Sequence, residues 1–254
     1  MDQLTWAPDN RAVLALSDGR IDVFDAATGR RTAQLNTHHP APCLLTFVPQ
    51  GLLHTERDPN TRATWLTLRT WPTLRAQWRT PMPCPLSTSA DRDGRTLAAL
   101  LNTQGTVRVQ LFDLHRRTPG RTLTRPDSSA VPVKVAVRPD GAEVAAGYSD
   151  GWIMVWNSRT GRETWRTRPY AGLSRALTWN PEGTALASSG FGRCRWWRSE
   201  CTVVSWAGPG GVQQQVLWSS WFQGASSVQW PSVTTLLLTT TRQAWLVRAP
   251  THPD

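Results

Sequence analysis

The sequence predicts an all-β protein, a six-bladed β-propeller of four-stranded antiparallel blades whose last blade is incomplete. Three observations carry this. The segment from Val135 to Thr167 reads like those from Leu4 to Leu35 and from Leu177 to Trp206. A hydrophobic residue in front of a Pro-Asp-Gly-like turn recurs at Trp6, Phe47, Ala90, Val137, Trp179 and Trp230, at separations of 41, 43, 47, 42 and 51 residues. Between these markers apolar and polar residues alternate in short runs, the period of strands rather than helices. A repeat of roughly 40–45 residues with four short alternating segments is the signature of propeller blades.

The 254 residues then divide into blades at about 4–36, 43–80, 86–125, 133–168, 175–207 and 226–249, forming one domain, with an insertion at 208–225. In each unit a first strand ends at a turn: Ala7-Pro8-Asp9-Asn10, Asp91-Arg92-Asp93-Gly94, Arg138-Pro139-Asp140-Gly141 or Asn180-Pro181-Glu182-Gly183. Proline presets the second turn residue and glycine or asparagine accepts a positive φ. A small apolar strand follows, as in Val144-Ala145-Ala146-Gly147. Asp18-Gly19 and Asp150-Gly151 then mark two-residue hairpins. Third strands alternate cleanly, as in Ile21 to Asp25, Val107 to Asp113 and Ile153 to Asn157. Fourth strands are announced by Thr28-Gly29-Arg30 and Thr160-Gly161-Arg162 and carry Trp165 and, at the equivalent place, Trp206.

These residues resemble the WD-repeat family, whose third strand ends in Trp-Asp and whose second turn carries Asp-Gly. Phe24-Asp25, Phe112-Asp113, Trp156-Asn157 and Trp197-Arg198 stand at the Trp-Asp position. His38-His39 is the nearest counterpart of the family's Gly-His dipeptide. The repeats are therefore degenerate. The resemblance implies a propeller that presents its loops to partners.

A single blade cannot bury both faces of its sheet, so blades must stack. Trp6, Trp156, Trp165, Trp179, Trp197, Trp206 and Trp245 fall on strand positions suited to that packing, and Trp65, Trp71 and Trp78 are expected in the core of the second blade. The chain begins directly with a first strand and ends after a third, Gln243 to Arg248. A three-stranded final blade is expected, or a chain that is a piece of a longer ancestor.

No stretch approaches the ~20 apolar residues of a membrane span, and the N-terminus lacks a signal-peptide pattern. The expected location is the cytoplasm, of a bacterium given the GC-rich coding that the arginine bias suggests. Cys43, Cys84, Cys194 and Cys201 form no Cys-x-x-Cys pair and have no histidines at metal spacing, so buried reduced thiols are expected. Cys194 and Cys201 flank the turn between the third and fourth strands of the fifth repeat, where a disulfide is conceivable only in an oxidising compartment.

The net charge is +10, and every one of the 28 basic residues except Lys134 is arginine. Turns between third and fourth strands carry Arg30, Arg31, Arg116, Arg117, Arg159 and Arg162. First-to-second turns on the same end of each blade add Arg11, Arg92 and Arg138, and Asp9, Asp25, Asp93, Asp113 and Asp140 offset part of that charge. A second candidate lies in the insertion, where Trp218, Trp221 and Phe222 follow a Gly-Pro-Gly-Gly entry at i, i+3 and i+4. That trio could anchor a partner or pack over the propeller.

No nucleophile elbow, phosphate loop or His-Glu-x-x-His motif occurs. The expectation is a non-catalytic interaction scaffold with a protein partner and no cofactor or metal. The alternatives are a propeller that binds nucleic acid or another polyanion through its arginines, weakening steeply with salt, an enzyme with an unrecognised site in the central channel, and a degenerate duplicate that does no more than fold.

Overall fold

The structure, a computed structural model, describes residues 3–38, 43–126, 129–193, 200–208, 211–217, 227–232, 235–239 and 244–248. Among them are 23 strands and no helix, arranged in six antiparallel sheets of consecutive strands. The first sheet is β1 (Gln3–Trp6), β2 (Ala12–Ser17), β3 (Arg20–Asp25) and β4 (Arg31–Asn36). The second is β5 (Leu45–Val48), β6 (Gly51–Arg57), β7 (Thr64–Arg69) and β8 (Ala76–Pro81). The third holds β9 (Pro85–Ala90), β10 (Thr96–Thr103), β11 (Thr106–Asp113) and β12 (Thr118–Leu123). The fourth holds β13 (Pro132–Val137), β14 (Glu143–Tyr148), β15 (Ile153–Asn157) and β16 (Glu163–Thr167). The fifth is β17 (Ser174–Trp179), β18 (Leu186–Arg193), β19 (Glu200–Gly208) and β20 (Gly211–Leu217). The sixth has three strands, β21 (Ser227–Ser232), β22 (Thr235–Thr239) and β23 (Ala244–Arg248), as the incomplete last blade requires.

Turn chemistry sets these boundaries. The four Pro-Asp-Gly-like turns share one geometry: the fourth residue's N–H donates back to the first residue's carbonyl at 2.8–3.2 Å, and Asn10, Gly94, Gly141 and Gly183 take φ of 57–72°. Asp18 and Gly19 both have positive φ, at 46° and 74°, as a type I′ hairpin demands. In the third sheet Gln104 and Gly105 adopt the same pair of values, 52° and 81°. At the Trp-Asp position the side chains of Asp25 and Asn157 close the next turn. Asp25 Oδ1 accepts from Thr28 N and Oγ1 at 2.7 and 2.6 Å, and Asn157 Oδ1 accepts from the same atoms of Thr160 at 2.8 and 3.0 Å.

The chain falls into two compact units, Met1–Leu86 with Leu114–Thr118, and Ser87–Asp113 with Pro119–Asp254, where the sequence leads one to expect a single domain. In the first unit Leu14, Leu16, Ile21 and Val23 of the first sheet pack on Leu45 and Leu52 of the second. In the other unit Leu100, Val109 and Leu111 of the third sheet meet Val144, Met154 and Trp156 of the fourth. The fourth sheet's opposite face, with Ala145, Ile153 and Val155, packs on Trp179 and Leu186 of the fifth, against which Trp165 is half-buried.

Trp6 departs from the expected packing role. It is 60% exposed, with Leu4 at 73%. Their register partners Val13 and Ala15 place them on the face of the first sheet opposite Leu14, Leu16, Ile21 and Val23, which hold its core. In the second blade Trp65, Trp71 and Trp78 are half-buried. Trp71 sets its edge against Phe47 with centroids 5.2 Å apart and donates to Asp9 at 3.4 Å, and Trp65 lies under Arg79 at 4.6 Å.

Two further expectations are corrected. Cys43 and Cys84 are not reduced thiols but form a disulfide, Cα atoms 5.3 Å apart and 41 residues apart in sequence. Both lie in the first unit, Cys43 leading into β5 and Cys84 following β8, so residues one repeat apart come together. The segment 208–225 is not wholly an insertion, because Gly211–Leu217 is the fourth strand of the fifth sheet. Trp206 consequently sits on the third strand, opposite Ala187, and not on the fourth. Trp197, Cys194 and the Trp218, Trp221, Phe222 trio lie outside the described residues.

Candidate functional site

In the second unit the ends of three first strands converge. β9, β13 and β17 each run into a Pro-Asp-Gly-like turn, and the three turns interlock. Val137 N donates to Ser89 Oγ at 3.0 Å, and Arg92 N donates to the Pro139 carbonyl at 2.9 Å. The Arg92 guanidinium reaches on to donate through Nη2 to the carbonyl of Pro181 in the third of these turns. The Arg138 stem lies over Gly183, where even a methyl group would stand 3.0 Å from it, so the positive φ and this close approach both call for glycine.

Beside these contacts lies an open hollow of about 280 Å³. Ser89 and Ala90 of β9, Ala136 and Val137 of β13, and Leu177, Thr178 and Trp179 of β17 form its walls, and Arg92 and Pro139 its rim. Two caps keep the turns rigid: Asp91 Oδ1 accepts from Arg95 N and Thr96 N at 2.7 and 3.1 Å, and Asn180 Oδ1 accepts from Thr184 N and Ala185 N at 2.8 and 3.0 Å. The Asp91 carboxylate is thus engaged inside its own turn.

The charges around the hollow differ in availability. Arg138 is neutralised by Asp140 at 3.0 Å and Glu143 at 3.1 Å. Arg92 is exposed and meets no carboxylate among the described residues. Trp179 is 8% exposed, and its indole Nε1 is buried without an acceptor among the described residues.

The arginines singled out in the sequence are exposed but less free than their number suggests. Arg31 pairs with Asp22 at 3.1 Å. Arg117 lies 5.9 Å from the Trp78 ring, and Arg116, in the same turn, also has a partner. The backbone carbonyls of Arg30 and Arg162 close their own turns by accepting from Asp25 N and Asn157 N, and that of Arg159 accepts from Arg121 Nε of β12; these bonds leave the side-chain charges of the three arginines as they are. Asp25 lies below the usual carboxylate range because Thr28 hydrogen-bonds it through side chain and backbone. Arg125 is taken by Asp150 at 2.8 and 3.0 Å and stacks near Tyr148 and Trp152.

A second polar cluster is internal. His54, fully buried, accepts from Arg69 Nε at 2.8 Å, and Arg69 Nη2 donates to Glu56 at 2.8 Å. Burial first, then the Arg69 charge, holds the imidazole at about 4. Among the described residues no group of three or more His, Cys, Asp and Glu side chains is placed to hold a metal ion, and no helix is long and apolar enough to cross a membrane.

No family model matches the chain. Over 100 residues it is 31% identical to WD repeat-containing protein 82 of Drosophila melanogaster, a stretch covering 39% of this chain and 31% of that relative's length. Among solved structures it superposes on a chain of a mitotic checkpoint complex with a TM-score of 0.73 at 18% identity, covering 97% of this chain and 73% of the other. It also superposes on a chain of Kuenenia stuttgartiensis hydrazine synthase with a TM-score of 0.71 at 14% identity, covering 92% and 72%. At such identities the two structures speak for the fold alone.

Proposed function

We propose that this chain, a β-propeller of WD-repeat type with degenerate repeats, is a non-catalytic scaffold that holds a protein partner on the turn-bearing end of its second unit. The observation that carries this reading is the interlocking of three successive turns around a hollow, which makes a pre-organised surface with one unneutralised arginine at its rim. A rigid surface lowers the entropy lost on association. The Cys43–Cys84 disulfide favours a working place where thiols are not kept reduced, rather than the cytoplasm.

The test is affinity capture of the intact protein from its native lysate, at low and high salt and with nuclease treatment. A protein that stays bound in high salt and after nuclease is the expected result. Loss of all bound material on nuclease treatment would reassign the surface to nucleic acid.

A further inference from the structure

Two groups at the hollow are left over by the fold. Arg92 presents five N–H donors in a planar fork. Nη2 is engaged by the Pro181 carbonyl, which holds the guanidinium beside the hollow, and no carboxylate among the described residues compensates its charge. Trp179 forms part of the wall, and its buried Nε1 has no acceptor among the described residues. Buried donors without acceptors are rare in folded proteins and call for an explanation.

Size and charge narrow the occupant. A volume of about 280 Å³ lies at the lower edge of small-molecule pockets, which span ~300–1,000 Å³, so the hollow suits one side chain better than a nucleotide or cofactor. One free guanidinium and one indole donor match a single negative charge on two oxygens. A phosphate dianion would need more positive charge than Arg92 supplies, because nearby Arg138 is already neutralised by Asp140 and Glu143. Resting on the scaffold reading, we infer that the hollow takes the carboxylate side chain of a glutamate or aspartate presented by the protein partner. Arg92 forms the ion pair, a small tilt of the Trp179 ring brings Nε1 to the second oxygen, and the ligand's methylenes lie against Val137 and Leu177.

The experiment uses the intact chain with ¹⁵N-labelled tryptophan. It is titrated with a capped pentapeptide carrying one central glutamate, with the same peptide carrying glutamine, and with sodium glutarate. The expected result is a saturable shift of one indole signal with the glutamate peptide, assigned to Trp179 by its disappearance in Trp179→Phe. Binding should weaken about 10-fold for the glutamine peptide and for Arg92→Gln. Arg92 is exposed, so its variant folds whatever the outcome at Trp179.

Equal binding of both peptides, or no saturable shift with the acidic one, would overturn the inference. Tight binding of glutarate with none of the peptide would overturn it too, in favour of a small-molecule acid. Wild-type capture separates these failures from failure of the scaffold itself. A partner held equally by wild type and Arg92→Gln leaves the scaffold standing and sinks the carboxylate site, whereas the scaffold reading fails where wild type holds no protein.

Discussion

The second and fourth sheets are built on the same four-stranded plan yet are filled in opposite ways. The fourth buries apolar side chains on both faces, with Val144, Ala146, Met154 and Trp156 on one and Ala145, Ile153 and Val155 on the other. The second sets His54, Glu56 and Arg69 on the same face as Leu45 and Leu52, and adds a disulfide where the chain enters and leaves it. Strand alternation fixes which face a residue occupies, but the fold accepts either contact area or directed polar bonds as the filling. The two sheets should therefore fail differently when perturbed.

The largest expected effect is in the apolar sheet. Trp156 is 2% exposed between the third and fourth sheets, and Trp156→Ala should cost about 3–5 kcal/mol of stability through lost burial and a residual cavity. The midpoint of a denaturant melt measures it. An effect under ~1 kcal/mol would mean that the packing between these sheets is far looser than described.

Next is the covalent brace of the second sheet. Cutting Cys43–Cys84, by reductant or by a Cys43→Ser, Cys84→Ser pair, should lower stability by about 2–4 kcal/mol, since the bond closes a loop of one whole repeat in the unfolded chain. A non-reducing peptide map shows whether the bond is present, and thermal melts with and without reductant give its effect. Two free thiols in oxidised protein would contradict the arrangement outright.

The polar filling comes third. Arg69→Met removes the donor shared by His54 and Glu56 and leaves a half-buried carboxylate without its cation, for about 2–3 kcal/mol. Replacing all three by apolar residues, His54→Leu, Glu56→Leu and Arg69→Met, should recover most of that loss. If the triple variant is no better than the single one in urea melts, the cluster supplies more than filling.

Much of the fold was legible because its punctuation is local. Asp140-Gly141 and Asp18-Gly19 impose their turns through backbone geometry that only a few residue types adopt, so these boundaries could be read residue by residue. Alternation, by contrast, says which residues share a face but not how far a hairpin runs. In the fifth unit, aligning Trp206 with Trp165 placed it one strand too late, since the β18–β19 hairpin is longer than its counterpart in the fourth sheet. The disulfide was hidden by distance in sequence. The signal that could have found it is that Cys43 and Cys84 are 41 residues apart, the same as Trp6 and Phe47. At the site, Arg92 stood out as a turn arginine and Trp179 as a repeat marker, but their meeting depends on how sheets pack. Nor can a count of arginines say that Arg31 and Arg138 are neutralised while Arg92 is not.

The effect smallest per step of the measurement is a slope with pH, which separates the two sheets by titration. Burial and the Arg69 charge lower His54 from 6.5 to about 4 in the folded protein. As pH falls below about 6.5 the unfolded chain takes up a proton on this residue while the folded protein does not, so unfolding gains. The contribution is complete above the unfolded value and is lost as pH drops towards the folded one, with a slope of at most about 1.4 kcal/mol per pH unit. Denaturant midpoints measured at intervals between these values should show a steeper fall for wild type than for His54→Gln. The glutamine carbonyl can still accept from Arg69 Nε but does not titrate, and Glu56, despite its burial, is held below its usual value of 4.5 by the hydrogen bond from Arg69 and stays ionised in the folded protein over most of this interval. The fourth sheet has no buried histidine on either packed face, so the slope difference should persist in a Trp156→Phe background. Parallel pH profiles for wild type and His54→Gln would mean that the imidazole is hydrated in solution, and the contrast between polar and apolar filling would then rest on Arg69 and Glu56 alone.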